Sequence, residues 1–151
     1  MTINKKTQII ILGILIVVTL TFIWGNSVLP ATKSKQISDT VKEVLEEILP
    51  EDFFDGTGTD DDTLIRKLAH YTEFTALGAE LALLLWHVLD LSLTTPLLLG
   101  LMAAVTDETI QIFSLGRGSS VRDVWIDFGG VVTGTVVILL VRKWRDRRRK
   151  V

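Results

Sequence analysis

Residues 106–123, TDETIQIFSLGRGSSVRD, put three carboxylates (Asp107, Glu108, Asp123), two arginines (Arg117, Arg122) and the amide of Gln111 into a chain that is almost uncharged on either side. Leu91 to Val105 before it has no charge, and Val124 to Val141 after it has only Asp127. A helix of about 20 residues crosses a ~30 Å hydrocarbon core at ~1.5 Å per residue. The flanks are long enough to do so, and the quoted stretch then becomes a polar corner where one span ends and the next begins.

Outward from that corner, the pattern predicts an all-α integral membrane four-helix bundle. The expected spans are 7–29, 64–89, 95–115 and 121–141, within a single domain over 1–151. Lengths near those of a bilayer crossing and the lack of turn signals favour helices over buried strands, and helices satisfy their own backbone groups in lipid. Pro96 suits a first helical turn, where a missing N–H removes no hydrogen bond. The first block follows Lys5 and Lys6, but residues 7–32 are uncharged over a longer stretch than a signal peptide needs. Gly25 to Ala31 also lacks a small-x-small cleavage pattern, so a retained anchor is expected. Without cysteine, disulfides and thiolate metal sites are excluded.

Basic residues set the orientation. Lys5, Lys6 and the tail from Arg142 to Lys150 place both termini in the cytoplasm. The extracellular segment 30–63 then lies outside, and its acids outnumber its lysines. All four tryptophans (Trp24, Trp86, Trp125, Trp144) fall near span ends, as an aromatic belt requires. The basic tail 142–151 is expected to meet anionic inner-leaflet lipid, and its place beside the membrane argues against nucleic acid as a partner. Within the outer segment, Ile37, Val41, Val44, Leu45 and Ile48 recur at helical spacing, with Ser38 or Asp39 as cap. A short extracellular amphipathic helix is expected there, on the outer surface or over the bundle mouth. The DGTGTDDDT stretch from Asp55 lacks the alternating ligands of a calcium loop and reads as an acidic linker.

The ionisable residues inside the spans carry the functional argument. His70, Glu73, Leu77 and Glu80 share one stripe, Asp107 and Gln111 another with Gly100 and Ala103, and Asp123, Asp127, Gly130 and Gly134 a third. With the orientation above, Glu73 lies about 9 Å below Lys67, Asp107 about 12 Å below Leu115 and Asp127 about 8 Å below Arg122. Three helices of alternating direction thus bring carboxylates to one level in the outer half of the bilayer. A charge at that depth costs ~2.5 kcal/mol or more, and such groups usually face a bundle interior or a wet cavity. Glu73, Asp107, Glu108, Asp123 and Asp127 repel one another, and Lys67, His70, Arg117 and Arg122 offset them. Glu80, nearest the midplane, has no basic partner in sight and is expected to be hydrogen-bonded or to line a water path. Gly130 and Gly134 form a GxxxG pair that allows close helix approach and offers a route to oligomers.

Two stretches resemble a known family. IRKLAHYTEFTALG (Ile65–Gly78) and TDETIQIFSLGRGSSVRDVWIDFGG (Thr106–Gly130) are similar to the polar motifs of VanZ-like proteins. The likeness spans about Ile65 to Val141. The family's polar set falls on Lys67, His70, Glu73, Asp107, Glu108, Gln111, Gly116, Arg117, Asp123, Asp127 and Gly130. Ile110 stands where the family often has histidine, and Leu115 where it often has proline. The resemblance implies a role at the outer surface of a bacterial cell membrane, with lowered sensitivity to teicoplanin-type glycopeptide antibiotics, which bind cell-wall precursors displayed there.

Three functions compete. The first is a pocket for the head group of a membrane lipid or lipid-linked cell-wall precursor. Arg117 and Arg122 would clamp a phosphate, Lys67 would add a point charge, and Gly116 and Gly118 would let the turn approach closely. Glu108, Gln111, Asp123 and Asp127 complete the expected ligand-binding set. The second function is a hydrolase or transferase acting on such a head group. His70 with Glu73 or Asp107 would serve as base and orienter, and the acids would offer oxygen ligands to Mg²⁺, Mn²⁺ or Zn²⁺. No motif with metal-ligand spacing is present, so no metal and no cofactor is assigned. The third is a structural ion-pair network or a proton conduit.

Overall fold

A computed structural model describes residues 4–46 and 61–148. It contains five α-helices: α1 (Lys5–Val28), α2 (Ala31–Glu46), α3 (Asp61–Leu81), α4 (Thr94–Ile112) and α5 (Val121–Arg148). A π-helical segment, Ala82–Val88, continues α3. No strand occurs among the described residues, as the all-α class requires. Helices α1 and α5 are each long and apolar enough to cross a membrane. Helix α5 runs on to Arg148, so residues 142–148 of the basic tail form its last turns.

Local chemistry explains the boundaries. Asn4 caps α1, its side chain accepting from the Lys6 amide at 3.2 Å. Leu29 precedes Pro30, and a residue before proline is pushed out of the helical region. Leu29 accordingly adopts φ −66° and ψ 136°, and α1 stops. The next helix begins at once, with the Pro30 carbonyl accepting from Lys33 and Ser34. This corrects the expected cap at Ser38 or Asp39. Proline opens α2, and Ser38 is buried mid-helix with its hydroxyl on the Ser34 carbonyl. Ile48 and the acidic linker as far as residue 60 lie outside the described residues. Between α3 and α4, Asp90 takes a positive φ of 61°, a conformation that aspartate tolerates better than most side chains.

Helix α3 is the central element. It packs most extensively on α5 and also touches α1, α2 and α4, while α4 touches both α1 and α5. Ile23, Phe74, Leu77, Leu81, Ala103, Ala104 and Val131 make the core. That core is small, and close approach of backbones does much of the packing. A Cβ on Gly78 would overlap the Val131 backbone, one on Gly100 the Val131 side chain, one on Gly130 the Tyr71 carbonyl, and one on Gly134 the Thr75 carbonyl. The GxxxG pair is therefore occupied within the chain by α3. Both glycines thus serve the close approach expected of them, with α3 of the same chain as the neighbour. Small residues are the means of helix association where lipid removes the hydrophobic drive between helices.

Outward-facing positions are apolar. Ile10, Val17, Val18 and Phe22 on α1, Leu98 and Met102 on α4 and Leu140 on α5 are all exposed. Helix α2 places its serines, Ser34 and Ser38, inward and leaves Ile37, Val41 and Val44 exposed.

Candidate functional site

The three polar stripes converge. His70 of α3, Asp107 of α4 and Asp127 of α5 bring one nitrogen or oxygen each to within 4.8 Å of one another. His70 Nδ1 lies 3.8 Å from Asp107 Oδ2, too far for a hydrogen bond. Helical phase explains the convergence. Asp127 is three residues before Gly130 on the face that meets α3, and Asp107 continues the face of Gly100 and Ala103. The glycine contacts bring the three helices close enough for short acidic side chains to meet.

Asp107 is fully buried and well held. Ser27 of α1 donates its hydroxyl to Asp107 Oδ1 at 2.6 Å, and Gln111 donates to Oδ2 at 2.8 Å. The Ser114 hydroxyl donates to the Ser27 carbonyl at 2.6 Å, tying the end of α4 to α1. Glu73 accepts from Asn26 at 3.2 Å, and Glu80 from Thr19 at 3.0 Å. Glu80 is thus hydrogen-bonded, one of its two expected states. The first helix, uncharged from Thr7 onward, supplies partners to three of the acids, a role its sequence did not suggest. Charge is the usual marker of a polar site, and Thr19, Asn26 and Ser27 carry none.

The other expected residues separate by role. Lys67 Nζ stands 3.4 Å from Asp123 Oδ1. Glu108 is buried and accepts the Ser120 amide at 2.9 Å, while the Ser120 hydroxyl takes the Arg122 amide at 3.1 Å. Glu108 therefore holds the turn that starts α5. Gly116 in that turn has φ 76°, which glycine adopts without strain. Gln111 positions Asp107. Arg122 is exposed at the start of α5 and lines neither of the two cavities described next.

A small cavity of about 90 Å³ is walled by Lys67, His70, Glu108, Arg117 and Asp127, and by Arg66, which is outside the expected set. Arg66 sits beside Lys67 in the chain, and only its placement distinguishes it from a residue at the membrane edge. A larger cavity of about 470 Å³ lies between α1, α2 and α3 and shares Arg66, His70 and Arg117 with the first. Arg117 is half-buried in the turn. Burial holds its guanidinium below the ordinary value, and the Arg66 charge pushes the same way against the pull of Asp107, Glu108 and Glu73. It remains the stable cation that guanidinium is. Several buried atoms here have no hydrogen-bond partner among the described residues: His70 Nδ1, Glu73 Oε2, Arg117 Nε and Asp127 Oδ2. Unpaired buried polar atoms are unfavourable by about 1–3 kcal/mol each, so a cluster of them suits a site built for something else to bind.

A family model described as VanZ/LLP1 matches residues 8–142. That range includes α1 and α2 and so extends well before the start at Ile65 expected from the motifs. No curated protein and no solved structure matches the chain.

Proposed function

Because the chain belongs to the VanZ/LLP1 family, we propose that it is a single-domain, four-span membrane protein whose outer-leaflet pocket binds the anionic head group of a lipid or lipid-linked cell-wall precursor. The observation that carries this is Arg117. Its guanidinium is half-buried near Arg66, with Nε lacking a hydrogen-bond partner among the described residues, in a cavity that His70 also lines. Two arginines lining one cavity repel, and an anion between them removes that repulsion while filling the open donor. Arginine suits this because its fork meets phosphate oxygens in pairs.

Spans α1 and α5 are joined in this proposal by α3 with its π-helical continuation and by α4. Lys5, Lys6 and the basic end of α5 hold both termini in the cytoplasm. The α4–α5 turn then opens to the outside, and α2 lies on the outer surface. Glycopeptides of the teicoplanin type bind precursors displayed on that surface, so occupancy of the pocket by such a precursor would lower sensitivity to them.

The test is retention of an anionic lipid. In phosphatidylglycerol-containing nanodiscs, mass spectrometry of the released protein is expected to find bound lipid on the wild type. Arg117→Ala should retain at least about tenfold less, the scale of losing a charge-assisted pair. Arg122→Ala should retain as much as the wild type. Equal loss in both variants would mean surface charge and no pocket.

A second function, hydrolysis or transfer at the bound head group, is favoured by the grouping of His70, Asp107 and Asp127. One imidazole and two carboxylates suit Mg²⁺, Mn²⁺ or Zn²⁺, and the same imidazole beside Asp107 suits proton transfer. After equilibration with Mn²⁺ and gel filtration, a metal-dependent enzyme should carry about one ion per chain. Asp127→Ala should remove it. Protein with no ion above background would leave hydrolysis to His70 and Asp107 alone.

A further inference from the structure

The larger cavity is more than an extension of the polar pocket. Its walls are Phe22 of α1, Leu29 just past its end, Ile37 and Val41 of α2, and Ile65 and Leu68 of α3. Phe22, Ile37, Val41 and Leu68 are each at least 41% exposed, so this is an open apolar groove and no part of the packed core. The construction of α2 makes the groove. Its small Ser34 and Ser38 face inward and are buried, which lets the helix lie close, while the Ile37 and Val41 side chains form a free wall. A helix whose serines are buried and whose isoleucine and valine are bare has its polarity reversed for water, but it is suitable for holding a hydrocarbon chain. At one end the groove reaches Arg66, His70 and Arg117, the residues that also wall the small polar cavity. The two cavities thus meet end to end, polar to apolar.

From this juxtaposition we infer that the groove between α1, α2 and α3 holds one acyl chain of an anionic glycerophospholipid whose phosphate sits between Arg66 and Arg117. The inference rests on the head-group function proposed above and adds the hydrocarbon part of the ligand. Charge complementarity selects this occupant: among the described residues the arginines that line the groove, Arg66 and Arg117, are the ones it shares with the polar cavity, so an amphiphile with a terminal phosphate matches both parts. The volume of about 470 Å³ lies in the range of small-molecule pockets and has room for one chain. A long polyprenyl chain would overrun it. The groove selects the chain by shape, and the arginines hold the phosphate by charge. A ligand entering from the outer leaflet would move sideways beneath α2 and reach His70 with its head group first.

Binding to the full chain in detergent micelles tests this with two probes that share a head group. They are palmitoyl lysophosphatidate, which has a chain, and glycerol 3-phosphate, which has none. The wild type should bind the palmitoyl probe more tightly. Val41→Trp fills the groove and Ile37→Asp puts a charge on its wall; both positions are exposed and line no part of the polar cavity. Each variant should weaken the palmitoyl probe about tenfold, the effect of excluding roughly two methylenes, and leave glycerol 3-phosphate unchanged. Arg117→Ala should weaken both probes. If Arg117→Ala weakens both but neither groove variant affects the palmitoyl probe, the groove assignment is overturned and the head-group function stands. If Arg117→Ala affects neither probe, the head-group function itself fails. Tight binding of undecaprenyl phosphate with no binding of the palmitoyl probe would overturn the acyl assignment in favour of a prenyl ligand.

Discussion

Gly134→Leu is expected to yield almost no folded protein. A Cβ at that position would fall on the Thr75 carbonyl oxygen and the Ala79 amide nitrogen, both backbone atoms of α3. Side-chain obstacles turn aside, but a helix backbone moves only as a whole. Overpacking a core usually costs about 1–3 kcal/mol, and here the relief of separating α3 from α5 would undo the most extensive contact in the fold. Gly130→Leu should behave alike, since its Cβ would meet the Tyr71 carbonyl and the Phe74 side chain. Gly25→Leu is the contrast. Nothing lies within 4 Å of a Cβ there, so the variant should melt within a few degrees of the wild type. Thermal unfolding of detergent-purified protein, read with gel filtration, compares the three. A well-folded Gly134→Leu would show that the α3–α5 seam is not as close as described.

Asp107→Ala should produce the second large loss. The carboxylate is fully buried and accepts from Ser27 and Gln111, and His70 lies just beyond bonding distance. Alanine leaves Ser27 Oγ and Gln111 Nε2 buried without their acceptor, at about 1–3 kcal/mol each, and opens a cavity besides. A loss of roughly 3–5 kcal/mol follows, comparable to removing one partner from a buried charged network. Asp107→Asn keeps size and most of the hydrogen bonding, so its melting should stay much closer to wild type. That separation makes asparagine the informative variant for function. If the pocket only binds, Asp107→Asn keeps head-group affinity, since removing a negative charge does not repel an anion. If His70 works as a base, the same variant folds and binds but loses turnover, because the imidazole has lost the charge that orients it. An Asp107→Ala protein as stable as the wild type would mean that the network around Ser27 adds nothing to the fold.

The sequence alone made much of this site legible. Hydrophobic period and length announced helices, and the charged corner from Thr106 to Asp123 announced where two of them meet. Counting residues inward from the span ends put Glu73, Asp107 and Asp127 at one depth, and His70, Asp107 and Asp127 do come together. The residues that were not legible share a physical cause. Thr19, Asn26 and Ser27 are neutral and sit in a run that reads as a plain anchor, yet each donates to a buried or half-buried acid. Arg66 and Arg122 have the same chemistry, and only the rotation of α3 and the exposed start of α5 decide that Arg66 lines the cavities while Arg122 does not. Helix α2 begins after Pro30 and not at a serine cap, because the Pro30 carbonyl already accepts from the Lys33 and Ser34 amides.

Periodicity along one chain is a local property, set by 3.6 residues per turn and by which side chains avoid water or lipid. It therefore determined the helices, the stripe on each that carries charge and the level at which those stripes lie. The choice of neighbour is not local. A glycine pair serves a second copy or the same chain equally well until helix contacts are known, and α3 claims Gly130 and Gly134 because its own backbone fits against them. By the same means tertiary structure alone decided that α1 completes the acidic cluster and that a polar cavity and an apolar groove share Arg66, His70 and Arg117. Each of those outcomes depends on distances between helices, which close packing sets and no single helix encodes.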